Sequence, residues 1–186
     1  MKDADIFIGC SGPRSIHQDE IKLMARDPLI FAMANPEPEI RPELVFEARP
    51  DAIMGTGRSD YPNQINNVMC FPFLFRGALD CHAKEINEAM KMAAAKALAG
   101  LAREEVPESV KKIYPDRNLV FGREYIIPTP FDQRLMETVS IEVARTAMET
   151  GVARKPIHDL EAYKLELKER YNKYVGRTEP IPPAKL

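Results

Sequence analysis

Three short apolar runs constrain this chain most: ADIFIG at 4–9, LIFAMAN at 29–35 and AIMGTG at 52–57, each closed by glycine, proline or asparagine. Their continuous apolar character is what strands covered on both faces of a parallel sheet require. Between the first two, residues 18–25 place Ile21, Met24 and Ala25 at helical spacing, and Asp27-Pro28 stops the helix. Pro36 and Pro38 forbid ladder bonds beyond the second run. The order strand, helix, strand, short helix, strand predicts right-handed βαβ crossovers and an α/β fold built on a doubly wound parallel sheet.

The second half changes character. Ile86, Met90, Ala93, Ala97 and Leu101 form one stripe of a helix predicted over 83–102. A second helix over 131–149 carries Leu135, Val139, Val143 and Ala147, with Pro128 and Pro130 ahead and Gly151 as its C′ residue. Residues 159–174 read as a charged helix with a thin apolar stripe, and TEPIPPAKL as a frayed tail or linker.

Composition removes several functions. A net charge of -2 gives no electrostatic footprint for nucleic acid or an anionic membrane. Lys91, Lys96 and Gly100 interrupt the longest apolar stretch, so no segment approaches a membrane span. With no signal-peptide pattern at MKDADIF, the expected location is the cytoplasm. Cys10, Cys70 and Cys81 lack zinc spacing and an even count and are expected to be buried thiols. His17, His82 and His158 define no metal site.

Ligands of open α/β sheets bind outside the carboxyl ends of the strands. The loops IGCSGP, MANPEPEI and GTGRSDYPNQINN all leave such ends, and the third crowds Asp60, Asn63, Gln64, Asn66 and Asn67 ahead of an aromatic run containing Phe71, Phe73 and Phe75. Carboxamides supply donors and acceptors without charge, suited to a carboxylate, a hydroxyl or a nicotinamide amide. The aromatic run is expected to anchor the loop in the core. The competing explanation is a capped helix start with a buried aromatic face. Gly55-Thr56-Gly57 does not complete a dinucleotide fingerprint, because Asp60 stands where its last glycine belongs. Arg58 and Arg76 are expected to pair with Asp60 and Asp80 rather than hold a ligand anion.

Together, DADIFIGCSGP, DPLIFAMANPEPEI, GTGRSDYPNQINNVMCFPFLFRGALD, INEAMKMAAAKALA and FGREYIIPTPFDQRL resemble, in order, the C-terminal part of malic enzymes of the bacterial type often fused to a phosphotransacetylase-like domain. The resemblance runs from residue 3 to about residue 153. It implies a partial NAD(P)-binding Rossmann-like domain over 1–103, a helical segment over 104–175 completing the malic enzyme unit, and a tail at 176–186. It implies an oxidoreductase acting on malate, which is oxidised and decarboxylated to pyruvate with NAD or NADP and a divalent Mg or Mn ion.

By the same resemblance, Asn35 lies between the nicotinamide ribose and the substrate, and the Asn66-Asn67 pair contacts malate or pyruvate; one of the two binds ligand while the other caps the helix, and the sequence does not choose. Ser11 and Gly12 would line the cofactor side through backbone groups. The family's catalytic tyrosine and lysine, its metal carboxylates and its glycine-rich turn match nothing here, so no catalytic or metal residue is assigned. The chain is therefore expected to be the second half of a catalytic unit, inactive alone, forming a homo-oligomer or associating with the missing half. The alternatives are a catalytically silent nucleotide-binding or assembly module, and an interaction domain working through its C-terminal helices.

Overall fold

The computed structural model describes residues 1–175. Within them the chain divides into two compact units, one formed by Met1–Met69 with Leu98–Asp132, the other by Cys70–Ala97 with the helices from Gln133 onward. The TEPIPPAKL segment, expected to be a tail, lies outside the described residues.

The first unit holds a three-stranded parallel sheet in the order β1 (Ile6–Gly9), β2 (Leu29–Ala32), β3 (Ile53–Thr56). Ile6 pairs with Leu29, and Leu29 with Ile53, so the three strands end level at Gly9, Ala32 and Thr56. The crossovers are α1 (Gln18–Lys22) and α2 (Pro42–Ala48). Pro42 at the helix start supplies a preset φ where no backbone donor is needed. Ile21, Met24, Ile30, Ile40, Val45 and Met54 form the core between sheet and helices. The α/β parallel-sheet reading therefore holds, with shorter strands and helices than the apolar runs suggested.

One expectation fails at β1. Ile6 and Ile8 are exposed, Ile8 to 63%, so this strand is not covered on both faces. Its position explains the difference: β1 is an edge, paired only with β2 among the described residues.

Arg49 closes the bottom of this unit. Its guanidinium donates to the carbonyls of Met24 at 2.8 Å and Ala25 at 2.6 Å and pairs with Asp51 at 2.7 Å. That hydrogen bond from Arg49 holds the Asp51 carboxyl well below the usual carboxylate range. A separate apolar cluster of Ala102, Val106, Val110, Leu119 and Tyr125 surrounds the short α5 (Glu108–Lys111).

The second unit is helical. α3 (Phe71–Asp80) packs on α6 (Arg134–Glu149), and α6 on α7 (Leu160–Val175). Leu135, Val139, Val143 and Ala147 are all buried, as their spacing predicts. The aromatic run behaves differently: Phe71 is 61% exposed and Phe75 is exposed beside it, the rings 4.6 Å apart, while Phe73 is half-buried. The buried stripe of α3 is instead its small one, Gly77 and Ala78. A Cβ at Gly77 would strike the carbonyl oxygen of Ser140 and the side chain of Val143, so only glycine lets α6 approach this closely. In α4 (Glu88–Leu101) Met90, Ala97 and Leu101 are buried as their spacing predicts, while Ala94 is buried in place of the expected Ala93, which is half-buried.

Asp80 gathers Arg76 at 2.6 Å, the Tyr163 hydroxyl at 2.9 Å and Arg170 at 3.3 Å, tying α3 to α7. Burial and the adjacent Asp80 carboxylate push the Tyr163 phenol well above its ordinary range. Of the cysteines only Cys81 is buried; Cys70 is half-buried and Cys10 is exposed, contrary to the expectation of three buried thiols. Burial pushes the Cys70 and Cys81 thiols up, so neither is an activated thiolate.

Candidate functional site

Parallel strands deliver their following loops to one edge, and here all three arrive level in the first unit. After β1, Ser11 is exposed, and Gly12 has no heavy atom within 4 Å of where a Cβ would sit. After β2, Ala34 turns inward and Asn35 outward, with a cis bond to Pro36. The Asn35 carboxamide rests on the end of β3: a Cβ on Gly57 would lie 2.9 Å from both its Nδ2 and its Oδ1. A side chain at Gly57 would thus displace the Asn35 carboxamide, so this glycine serves a close approach rather than a dinucleotide turn.

The third loop returns to the sheet. Ile65 N–H donates to the Thr56 carbonyl at 2.7 Å, and Gln64 forms a parallel bridge with Thr56. Gln64 Nε2 lies 3.5 Å from the carbonyl oxygen of Gly57, the residue that carries Asn35. The loops bearing Asn35 and the amide cluster therefore meet at the carboxyl end of β3.

The amides divide by role. Asn63 is 5% exposed and in the left-handed region at φ 52°. Its Nδ2 donates to Met54 at 2.9 Å and Arg123 at 2.7 Å, and its Oδ1 accepts from Ile126 N–H at 2.9 Å. Asn66 Oδ1 accepts from Val68 N–H at 3.0 Å and so caps the short 3-10 turn Asn67–Met69. Asn67 is exposed, and its side chain bonds to no described residue. Met69, 1% exposed, anchors the turn in place of the aromatic residues.

Charge around this edge is fixed in pairs. Arg58 binds Asp60 through two nitrogens at 2.9 and 2.7 Å and reaches Glu37 at 2.9 Å, as expected of a structural arginine. Its hydrogen bond lowers the Asp60 carboxyl and raises its own guanidinium. Tyr61 donates to Glu43 at 2.6 Å, which lowers the Glu43 carboxyl and raises the phenol. Each of these shifts moves its group further from neutral pH. These four paired groups therefore orient their neighbours and are not tuned for proton transfer near neutrality.

Two structurally decisive residues escaped the sequence reading. Asn63, which its sequence position places among the candidate ligand amides, is a buried strut. Glu39 is fully buried, accepting from Ser11 N–H at 2.9 Å and Ala34 N–H at 3.1 Å. Nothing in PEPEI distinguishes it from the half-buried Glu37 two residues earlier. A hollow of about 230 Å³ opens beside Asn63 and Gln64, lined also by Arg117, Asn118, Tyr125 and Thr129.

A family profile described as "Malic enzyme, NAD binding domain" matches residues 2–121. The chain belongs to the malic enzyme family. It is 58% identical over 169 residues to the NADP-dependent malic enzyme of Escherichia coli strain K12, covering 91% of this chain and 22% of that protein. The NAD-dependent malic enzyme of Rhizobium meliloti strain 1021 is 51% identical over 175 residues, again with 22% of its length covered. The crystal structure of malic enzyme from Pyrococcus horikoshii Ot3 superposes with a TM-score of 0.77 at 39% identity, over 94% of this chain and 37% of that one. The chain thus spans about a fifth of the length of these two curated malic enzymes.

Among the described residues no three His, Cys, Asp or Glu side chains come together as a metal site. The described residues therefore offer no donor set that fits a divalent ion.

Proposed function

We propose that this chain is the part of a cytoplasmic malic enzyme that presents malate and the nicotinamide of NAD or NADP to one another. Residues 1–103 carry the dinucleotide-facing sheet, and 104–175 complete the unit. The observation that carries the reading is the meeting of the Asn35 loop and the Gln64–Asn67 loop at the end of β3. The dinucleotide, when bound, would supply the hydride acceptor for the malate carbon bearing the hydroxyl. Exposed Asn35 and the open backbone at Ser11 and Gly12 suit its carboxamide and ribose.

The work of these residues is orientation. Asn67 serves as the ligand amide of the pair, since the side-chain oxygen of Asn66 already accepts from Val68 N–H within the turn. Asn35 and Asn67 hold malate by its carboxylate and hydroxyl so that the departing hydride faces the nicotinamide, an alignment that supplies rate without moving protons. After decarboxylation the same amides hold pyruvate.

Because these residues position and do not transfer protons, the chain alone is expected not to turn over malate, and association with another polypeptide segment or a second copy would complete the site. Purified chain is incubated with malate, Mn²⁺ and NADP⁺, and NADPH absorbance is followed. A flat trace is expected. Malate-dependent NADPH formation abolished by Asn67→Ala would show that the chain holds a complete catalytic set.

A further inference from the structure

Glu39 is a fully buried carboxylate that the proposed chemistry does not use. Its Oε1 accepts the Ser11 N–H at 2.9 Å and lies 3.5 Å from the Ser11 hydroxyl; its Oε2 accepts the Ala34 N–H at 3.1 Å. Gly9 makes room for it, since a Cβ there would lie 2.5 Å from the Glu39 Cδ. Main-chain bonds also join the two segments: Met33 N–H to the Gly9 carbonyl at the strand ends, and Arg14 N–H to the Pro38 carbonyl and Ile16 N–H to that of Glu39 further on. Those bonds flank the Ser11–Gly12 turn on either side, whereas the carboxylate alone reaches Ser11 and the residue before Asn35 at once.

We propose that Glu39 is a positioning residue, a clamp that sets the Ser11–Gly12 loop and Asn35 in one fixed relation at the cofactor edge. The inference rests on the functional reading above. A buried carboxylate with both oxygens bonded to backbone N–H groups fixes geometry tightly, because losing either bond leaves a desolvated polar group unpaired. Glutamine cannot replace it. One of its two terminal atoms is an NH₂ donor, which would face a backbone donor at either Ser11 or Ala34.

The test measures amide hydrogen exchange and NADPH affinity on the full chain and on Glu39→Gln. The clamp predicts that exchange at Ser11 and Ala34 rises together by about tenfold or more, with Ile30 of the central strand unchanged. It also predicts NADPH binding, read by its fluorescence, weaker by about tenfold. Equal acceleration at Ile30, or unchanged exchange at Ser11 and Ala34, overturns the clamp. So does NADPH affinity equal to that of the parent. A parent chain that does not bind NADPH refutes the dinucleotide reading instead, and the exchange data then judge the clamp separately. Should Glu39→Gln fail to fold, Glu39→Asp replaces it. The shorter carboxylate keeps its acceptors but reaches only one loop, so faster exchange at just one of Ser11 and Ala34 supports the clamp, and full protection of both contradicts it.

Discussion

Asn63 buries its carboxamide against three backbone groups, while Asn67, four residues on, offers the same carboxamide to solvent. Their substitutions should separate cleanly. Asn63→Ala leaves backbone groups of Met54, Arg123 and Ile126 unpaired and is expected to cost about 2–4 kcal/mol in denaturant unfolding. Asn67→Ala should change stability by less than about 0.5 kcal/mol, as for an exposed side chain without partners. Equal losses for the two would mean the roles assigned here are wrong. Why one asparagine is a strut and the other a free amide was not legible in NQINN, because the distinction comes from Arg123 and Ile126, some sixty residues away. Asp51 gives a pH effect at the same scale. Its folded-state pKa is depressed by Arg49, so its contribution is present above the unfolded carboxylate pKa of about 3.9 and is lost as pH falls below that toward the folded value. Asp51→Asn should lower stability at neutral pH and flatten that acid loss; an unchanged acid slope in urea melts at several pH values would remove the pair from the account.

Elements were easier to read than residues. The three strands and the long helices were legible because runs of buried apolar residues ended by Gly, Pro and Asn dictate local structure directly. Which face of α3 packs was not, since the sequence advertises Phe71 and Phe75 while the structure buries Gly77 and Ala78. Close helix approach is decided by the partner's shape, which α3 alone does not encode. Gly77→Ala should therefore destabilise by about 1–3 kcal/mol through overpacking against α6. Gly100→Ala, in α4 with open space where its Cβ would go, should stabilise by about 0.5–1 kcal/mol. Thermal melts of the two variants moving in the same direction would contradict the packing argument. At β1, the exposed Ile6 and Ile8 lie on an edge whose outer backbone groups have no strand partner among the described residues. Such edges promote association. Sedimentation is expected to show a dimer or larger species that Ile8→Lys shifts toward monomer; a monomeric parent chain would mean the edge is covered in another way.

For the molecule as a whole, membership of the malic enzyme family was legible from five ordered segments, and the edge to which the Asn35 and Gln64–Asn67 loops are delivered followed from strand direction. The burial of Glu39 beneath that edge was not, because a buried Glu39 and a half-buried Glu37 look alike in PEPEI. The central claim is that the carboxyl edge of this sheet receives the nicotinamide cofactor and malate. Amide chemical shifts of uniformly ¹⁵N-labelled chain, recorded while NADPH and then malate are added, test it most directly. The account predicts shifts concentrated at Ser11, Gly12 and the backbone and side chain of Asn35 with NADPH, and at Asn67 with malate. Saturable shifts confined to the α6 and α7 surface, with Asn35 and Asn67 unmoved, would contradict it.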